Sequence, residues 1–173
     1  MLYNEVLHQL IIDSNYFTVI INHKEGVNMV REIKETELQE LLELYLHLHE
    51  KEIPETTQHL KEVWNSITQD KNHHIIVNVI DEKIVSSCVC IIIPNLTRNI
   101  RPYAFIENVV THSSYRGKGY ASECLNYAKE IAKKANCYKM MLLTGSKDEA
   151  TLNFYNNAGY NNTDKTAFIQ WID

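Results

Sequence analysis

The sequence predicts a mixed α/β fold, a central mixed but largely antiparallel sheet of about six to seven strands flanked by helices. Three observations carry this reading. Apolar segments of strand length and segments of helical period follow one another in the order βαα-βββ-αβ-αβ. The apolar period switches from two to about 3.6 across a turn with glycines at 117 and 119. The 173 residues, 45% hydrophobic and 23% charged, have the composition of one globular domain, which buries about 70% of its unfolded surface.

Residues 30–33 form the first strand of this order. Residues 35–49 follow as a helix with Leu38, Leu41, Leu42, Tyr45, Leu46 and Leu48 on its apolar side. Pro54 opens a second helix that turns Leu60, Val63, Trp64 and Ile67 inward and ends near Asp70. Residues 74–80 and 84–93 are apolar strands joined by a turn at Asp81, Glu82 and Lys83, and 94–101 is a polar loop. Residues 103–110 are rich in aromatic and β-branched side chains and make the next strand. Ala121, Cys124, Leu125, Ala128, Ile131, Ala132 and Ala135 then mark one long core-facing helix. Residues 138–143 read as a buried strand, 147–157 as a helix and 166–172 as a last strand.

The first 28 residues stand apart as an extension before a domain spanning 29–173. They suit a short helix and a strand at 16–21 that adds to a sheet edge or to a partner. Exchange of this segment between two subunits would make a homodimer. Lys24 to Met29 also back-translate to a purine-rich tract before ATG, so Met29 is an expected native start.

The two-glycine turn is built to hold an anion. The first turn of a helix offers N–H groups without intrahelical acceptors, and the macrodipole adds about half a positive charge. Gly117 and Gly119 let a phosphate approach, and Arg116 and Lys118 bring charge to the same place. A plain tight turn with solvated cations is the simpler alternative. Ser122 stands where a dinucleotide fingerprint needs a third glycine, and no GxxxxGK[ST] run occurs, so dinucleotide and nucleoside-triphosphate sites are excluded.

Arg116-Gly117-Lys118-Gly119-Tyr120-Ala121 resembles the R/Q-x-x-G-x-G/A signature of the GCN5-related N-acetyltransferase (GNAT) superfamily, matching at Arg116, Gly119 and Ala121. Further on, Phe154-Tyr155-Asn156-Asn157-Ala158-Gly159-Tyr160 resembles the family's F/L-Y-x-x-x-G-F/Y segment. The resemblance runs from Met29 to the C-terminus. It implies a sheet that splays beside its central strand, with acetyl-CoA as co-substrate in the wedge. The backbone of Val109, Val110 and Thr111 would pair with the pantetheine arm, and the turn from Arg116 through Gly117, Lys118, Gly119 and Tyr120 to Ala121 would hold the pyrophosphate. Tyr155 is by that match the general acid for the departing thiolate, or else a packing aromatic beside Phe154. Glu107 is the candidate base, or a structural or rim charge; strand alternation puts it on one face with Val109 and Thr111. The family often has an asparagine where this chain has Asp148, which is suited to capping the next helix; Asn153 is a possible substitute contact.

The resemblance implies acetyl transfer to a primary amine of a small molecule or peptide by direct attack in a ternary complex; a non-catalytic acyl-CoA-binding module is the alternative. The acceptor region would lie around residues 47–58, where Glu50, Glu52 and Glu55 suit a cationic amine and equally an ordinary exposed loop. A net charge of −5 argues against a nucleic-acid partner. Cys88, Cys90, Cys124 and Cys137 lack metal spacing and are expected reduced and mostly buried, and no metal is expected from the histidines. No run approaches the ~20 apolar residues of a membrane span, so a cytoplasmic protein without membrane contact is expected.

Overall fold

The computed structural model describes residues 8–13, 16–23, 26–48 and 50–172, with side chains from residue 28 onward except at 49. Its centre is a hairpin of β4 (His73–Ile80) and β5 (Lys83–Ile93). Asp81 at φ 46° and Glu82 at φ 65° make the two-residue turn between them, a left-handed pair whose twist suits antiparallel strands. β5 is buried without a break from Ile84 to Cys90, because both sheet faces are covered there.

The described residues form a sheet of seven strands in sequence order. β1 (His8–Asp13), β2 (Tyr16–His23) and β3 (Gly26–Glu32) lead into β4, and β6 (Tyr103–Thr111) follows β5, every neighbouring pair antiparallel. Among the described strands only β7 (Met140–Leu142) pairs parallel, alongside Ala104–Ile106 of β6. A crossover helix separates β6 from β7, as a parallel connection requires.

That helix is α3 (Tyr120–Lys134). It packs Cys124, Leu125, Ala128 and Ala132 on Val30, Ile76, Cys88, Cys90 and Ile106. On the opposite face α1 (Leu38–Tyr45) and α2 (Gln58–Gln69) set Leu41, Leu44 and Trp64 against Ile75, Val77, Val89 and Val110. The Trp64 indole N–H donates to the Glu35 carbonyl at 3.0 Å, tying α2 to the turn before α1. α4 (Glu149–Asn157) covers the α3 face with Phe154, Tyr155 and Ala158. Cys88, Cys90 and Cys124 are buried free thiols, whose deprotonation burial opposes.

Several elements differ from expectation. Residues 166–172 form no strand and stay exposed, so five strands rather than six form from Gly26 onward, and the two before it bring the sheet to seven. Residues 8–13 form a strand beside the expected one at 16–21, in the extension for which a short helix and one strand were expected. The first helix stops at Tyr45, and the second starts at Gln58, where the Thr57 hydroxyl accepts the Leu60 N–H, rather than at Pro54. Val63 points outward. No helix among the described residues is long and apolar enough to cross a membrane.

Candidate functional site

The sheet opens where β6 outruns its neighbour. β7 pairs with β6 only as far as Ile106, while β6 continues to Thr111, so beyond that point no described strand takes the β7 side of Glu107 to Thr111. A β-bulge sits at the same place. Val89 pairs with Glu107 and Ser87 with Val110, so Cys88 alone faces both Asn108 and Val109. Asn108 absorbs the extra residue at φ 50°, a left-handed conformation asparagine tolerates.

The bulge corrects the expected alternation. Glu107, opposite Val89, and Val110 lie on the α1/α2 face, whereas Val109 packs with Cys88 and Ile106 on the α3 face. Glu107 and Val109 therefore do not share a face. Thr111 pairs with Ser86, and their hydroxyls are 2.8 Å apart.

β6 leads through a short 3-10 turn, Ser113–Tyr115, into the glycine turn and α3. Gly117 and Gly119 sit at φ 75° and 91°, and a Cβ added to either would meet nothing within 4 Å. Their conformation, rather than crowding, calls for glycine. Arg116 is exposed, its Nε donating to the Thr111 carbonyl and its Nη2 to the His47 carbonyl, both at 3.2 Å. It thereby ties the end of β6 to the turn after α1. The His47 and His112 rings lie 4.1 Å apart at a tilt of 52°, and partial burial, His112 and Arg116 together hold His47 below the ordinary histidine value. The Lys118 ammonium lies 5.6 Å from the Tyr115 ring centre. The Tyr120 side chain packs inward with Ile80 and Val85.

α4 brings Tyr155 to the open edge from the other side. Asp148 is its N-cap, Oδ2 accepting from the Thr151 N–H at 3.0 Å, the capping role its position suggested. At the far end Gly159 is at φ 90°, its N–H bonds to the Asn156 carbonyl, and the Tyr160 N–H bonds to the Tyr155 carbonyl. This is a Schellman cap. The Tyr160 ring meets the Tyr155 ring edge-on at 6.2 Å, and Phe154 lies 4.9 Å from Tyr155 on another side. The F-Y-x-x-x-G-Y pattern is thus a mechanical device that fixes one phenol. Burial, with Cys88 and the Glu107 carboxylate nearby, raises the Tyr155 phenol above the usual tyrosine value.

The Glu107 charge thus reaches the Tyr155 phenol from across the bulge, Tyr155 packing on the α3 face and Glu107 lying on the α1/α2 face. Asn153 faces solvent on α4. Asn108 and Tyr45 join this group although the sequence reading gave neither a role there. Burial raises the Tyr45 phenol to about 12, against a hydrogen bond with the Asn108 side chain. The signal for Asn108 was an asparagine in the middle of a β-branched strand; Tyr45 carried only a core-helix pattern.

The profile described as the Acetyltransferase (GNAT) family matches residues 38–160. The chain belongs to the GNAT acetyltransferase family. A solved structure of a candidate acetyltransferase from Agrobacterium tumefaciens str. C58 is 39% identical with a TM-score of 0.76, covering 82% of this chain and 99% of that one. Glucosamine 6-phosphate N-acetyltransferase of Trypanosoma brucei brucei is 36% identical over 78 residues, 45% of this chain and 51% of the relative. N-alpha-acetyltransferase 30 of Saccharomyces cerevisiae is 30% identical over 76 residues, 44% of this chain and 42% of that protein. The chain spans about half the length of these curated relatives. Within the GNAT fold, the glycine turn and the α4 cap both lie inside the matched stretch.

Proposed function

We propose that this chain is an acetyl-CoA-dependent N-acetyltransferase, moving the acetyl group to a primary amine by direct attack in a ternary complex. The observation that carries the reading is the open edge of β6 beside its bulge. Val109, Val110 and Thr111 offer extended backbone to the amides of the pantetheine arm, which pairs as a strand does. The edge runs straight into the turn from Arg116 to Ala121, so a pyrophosphate at the start of α3 follows from the same placement. Gly117 and Gly119 open the approach, Arg116 and Lys118 supply charge, and Tyr120 and Ala121 contribute main chain, since the Tyr120 ring is in the core. Asn153 is a further contact from α4.

The chemistry then uses the groups at the bulge. The amine lone pair attacks the thioester carbon, the C–N bond forms, and the carbonyl electrons move to oxygen. Collapse of this intermediate breaks the C–S bond. Tyr155 donates a hydrogen bond, and its proton in the limit, to the departing thiolate. A phenol with a raised pKa stays protonated through the neutral range and is always loaded as a donor. Glu107 takes the proton lost by the amine, directly or through water.

The trypanosome relative directs the acceptor search to phosphorylated amino sugars, and the yeast relative to peptide N-termini. Glu50, Glu52 and Glu55 are exposed beside the α1–α2 connection, placed to attract a cationic amine. Thiol release from acetyl-CoA, measured against amino-sugar phosphates, free amino sugars, polyamines and peptides, tests the reading. Saturable release with one class is expected. Tight acetyl-CoA binding without turnover on any of them would instead mark an acyl-CoA-binding module.

A further inference from the structure

The first turn of α3 carries a carboxylate, Glu123, at the terminus where the proposed reaction holds a pyrophosphate. A negative charge there opposes an anion. The Glu123 side chain is turned to the sheet. Asn28 on β3 and Asn78 on β4 both donate from Nδ2 to one oxygen, Glu123 Oε2, at 2.7 and 2.5 Å. The two asparagines are 1% and 0% exposed, so these bonds are made away from water and are the stronger for it.

Stability alone does not account for the arrangement. Neither Asn28 Oδ1 nor Asn78 Oδ1 has a partner among the described residues, and an unpaired buried oxygen is destabilising. Apolar side chains of like size would fill the same space without that cost. The polar row also leads to the edge offered to the cofactor. Asn78 pairs with Ser86 across β4 and β5, and Ser86 pairs with Thr111 across β5 and β6, with the two hydroxyls 2.8 Å apart. A β-bulge at Asn78 and Val79 interrupts the ladder at this point, a device that re-aims a side chain.

We propose that Glu123, held by Asn28 and Asn78, is a positioning residue that sets the first turn of α3, and with it the glycine turn, for the pyrophosphate of CoA. This rests on the acetyl-CoA reading of the site. Nothing lies within 4 Å of where a Cβ would stand on Gly117 or Gly119, so the turn takes its place from what flanks it. On the strand side Arg116 holds the Thr111 carbonyl. On the helix side Tyr120 packs into the core and two amides draw Glu123 to the sheet. The same amide dipoles offset the carboxylate charge, which keeps the N–H groups of the turn attractive to phosphate.

Titration calorimetry with CoA on the full chain, with far-UV circular dichroism confirming the fold, tests this. By charge alone Glu123→Ala removes an anion from an anion site and should tighten binding. Positioning gives the opposite sign, a CoA Kd weaker by about 10-fold. Glu123→Gln keeps an acceptor oxygen for the two amides and should bind CoA at least about threefold more tightly than Glu123→Ala. If the alanine variant does not fold, Asn28→Leu/Asn78→Leu/Glu123→Met fills the space with apolar groups and should fold, yet bind CoA about 10-fold more weakly than the parent. An alanine variant that binds as tightly as the parent or more tightly overturns the proposal. So does a glutamine variant no tighter than the alanine one, or an apolar variant with parental affinity, because the set then acts only as packing. A parent chain that does not bind CoA overturns the acetyl-CoA reading itself, and the positioning role with it.

Discussion

Asn108 holds φ 50° inside β6, and the orientation of its neighbours depends on that one left-handed residue. Without it, period-two alternation would carry Glu107 and Val109 to the same face, as the sequence suggests; with it, Glu107 turns to the α1/α2 side and Val109 to the other. Alternation is a two-state code, and one inserted residue inverts it. Tyr155 and Glu107 stood out in sequence by motif and residue type; the face of β6 that carries Glu107 did not. Tyr155→Phe keeps the ring contacts with Phe154 and Tyr160 and removes only the hydroxyl. In steady-state thiol-release kinetics kcat should fall about 100-fold. KM for acetyl-CoA should stay within about twofold, since a transition-state donor contributes little to ground-state binding. An unchanged kcat would sink the general-acid role.

The elements most legible in sequence were those with a strong period and a matching partner. β4, β5, β6 and α3 fall within a residue or two of expectation, because their apolar residues meet a covered sheet. Where the apolar pattern outran the packing, the reading overshot. Leu46 and Leu48 continue the α1 pattern, yet the chain turns there to give the His47 carbonyl to Arg116. Residues 166–172 have the composition of a strand but pair with no described strand in this structure. α4 shows the reverse, a motif known by its letters whose physical meaning appears only in the cap. Gly159→Ala forces a Cβ into φ 90° and should cost about 1–2 kcal/mol. Space is not the obstacle, because nothing lies within 4 Å. Thermal unfolding should shift down by about 2–8 °C, and kcat should drop more than KM rises, because Tyr155 loses its anchor. A variant that keeps both parent Tm and parent kcat would show that the cap does not position the phenol.

At the scale of the whole molecule, the two helical layers must stay registered on the sheet for α1 and the β6 bulge to meet. On the α1/α2 face one ion pair contributes to this. Arg31 on β3 holds Glu37 at 2.6 and 2.8 Å, through both carboxylate oxygens, just before α1 begins. Their side chains are only 11% and 13% exposed, so water screens the pair less than a surface bridge. Burial alone would raise the Glu37 carboxyl, but the bonds from Arg31 and from the Lys34 N–H, with the charges of both residues, outweigh it and hold the group below its ordinary 4.5. A carboxyl depressed on folding is protonated first in the unfolded chain. Its contribution to stability is therefore complete above 4.5 and is lost as the pH falls from there through the folded value. Glu37→Gln should lower stability by about 1–2 kcal/mol at neutral pH. In urea denaturation the gap between variant and parent should narrow on going from neutral pH to a pH below 4.5, where the unfolded parent takes up a proton that the folded one resists. A gap of constant size at both pH values would mean that Glu37 acts through packing or neutral hydrogen bonds, and that the layers are held in register without its charge.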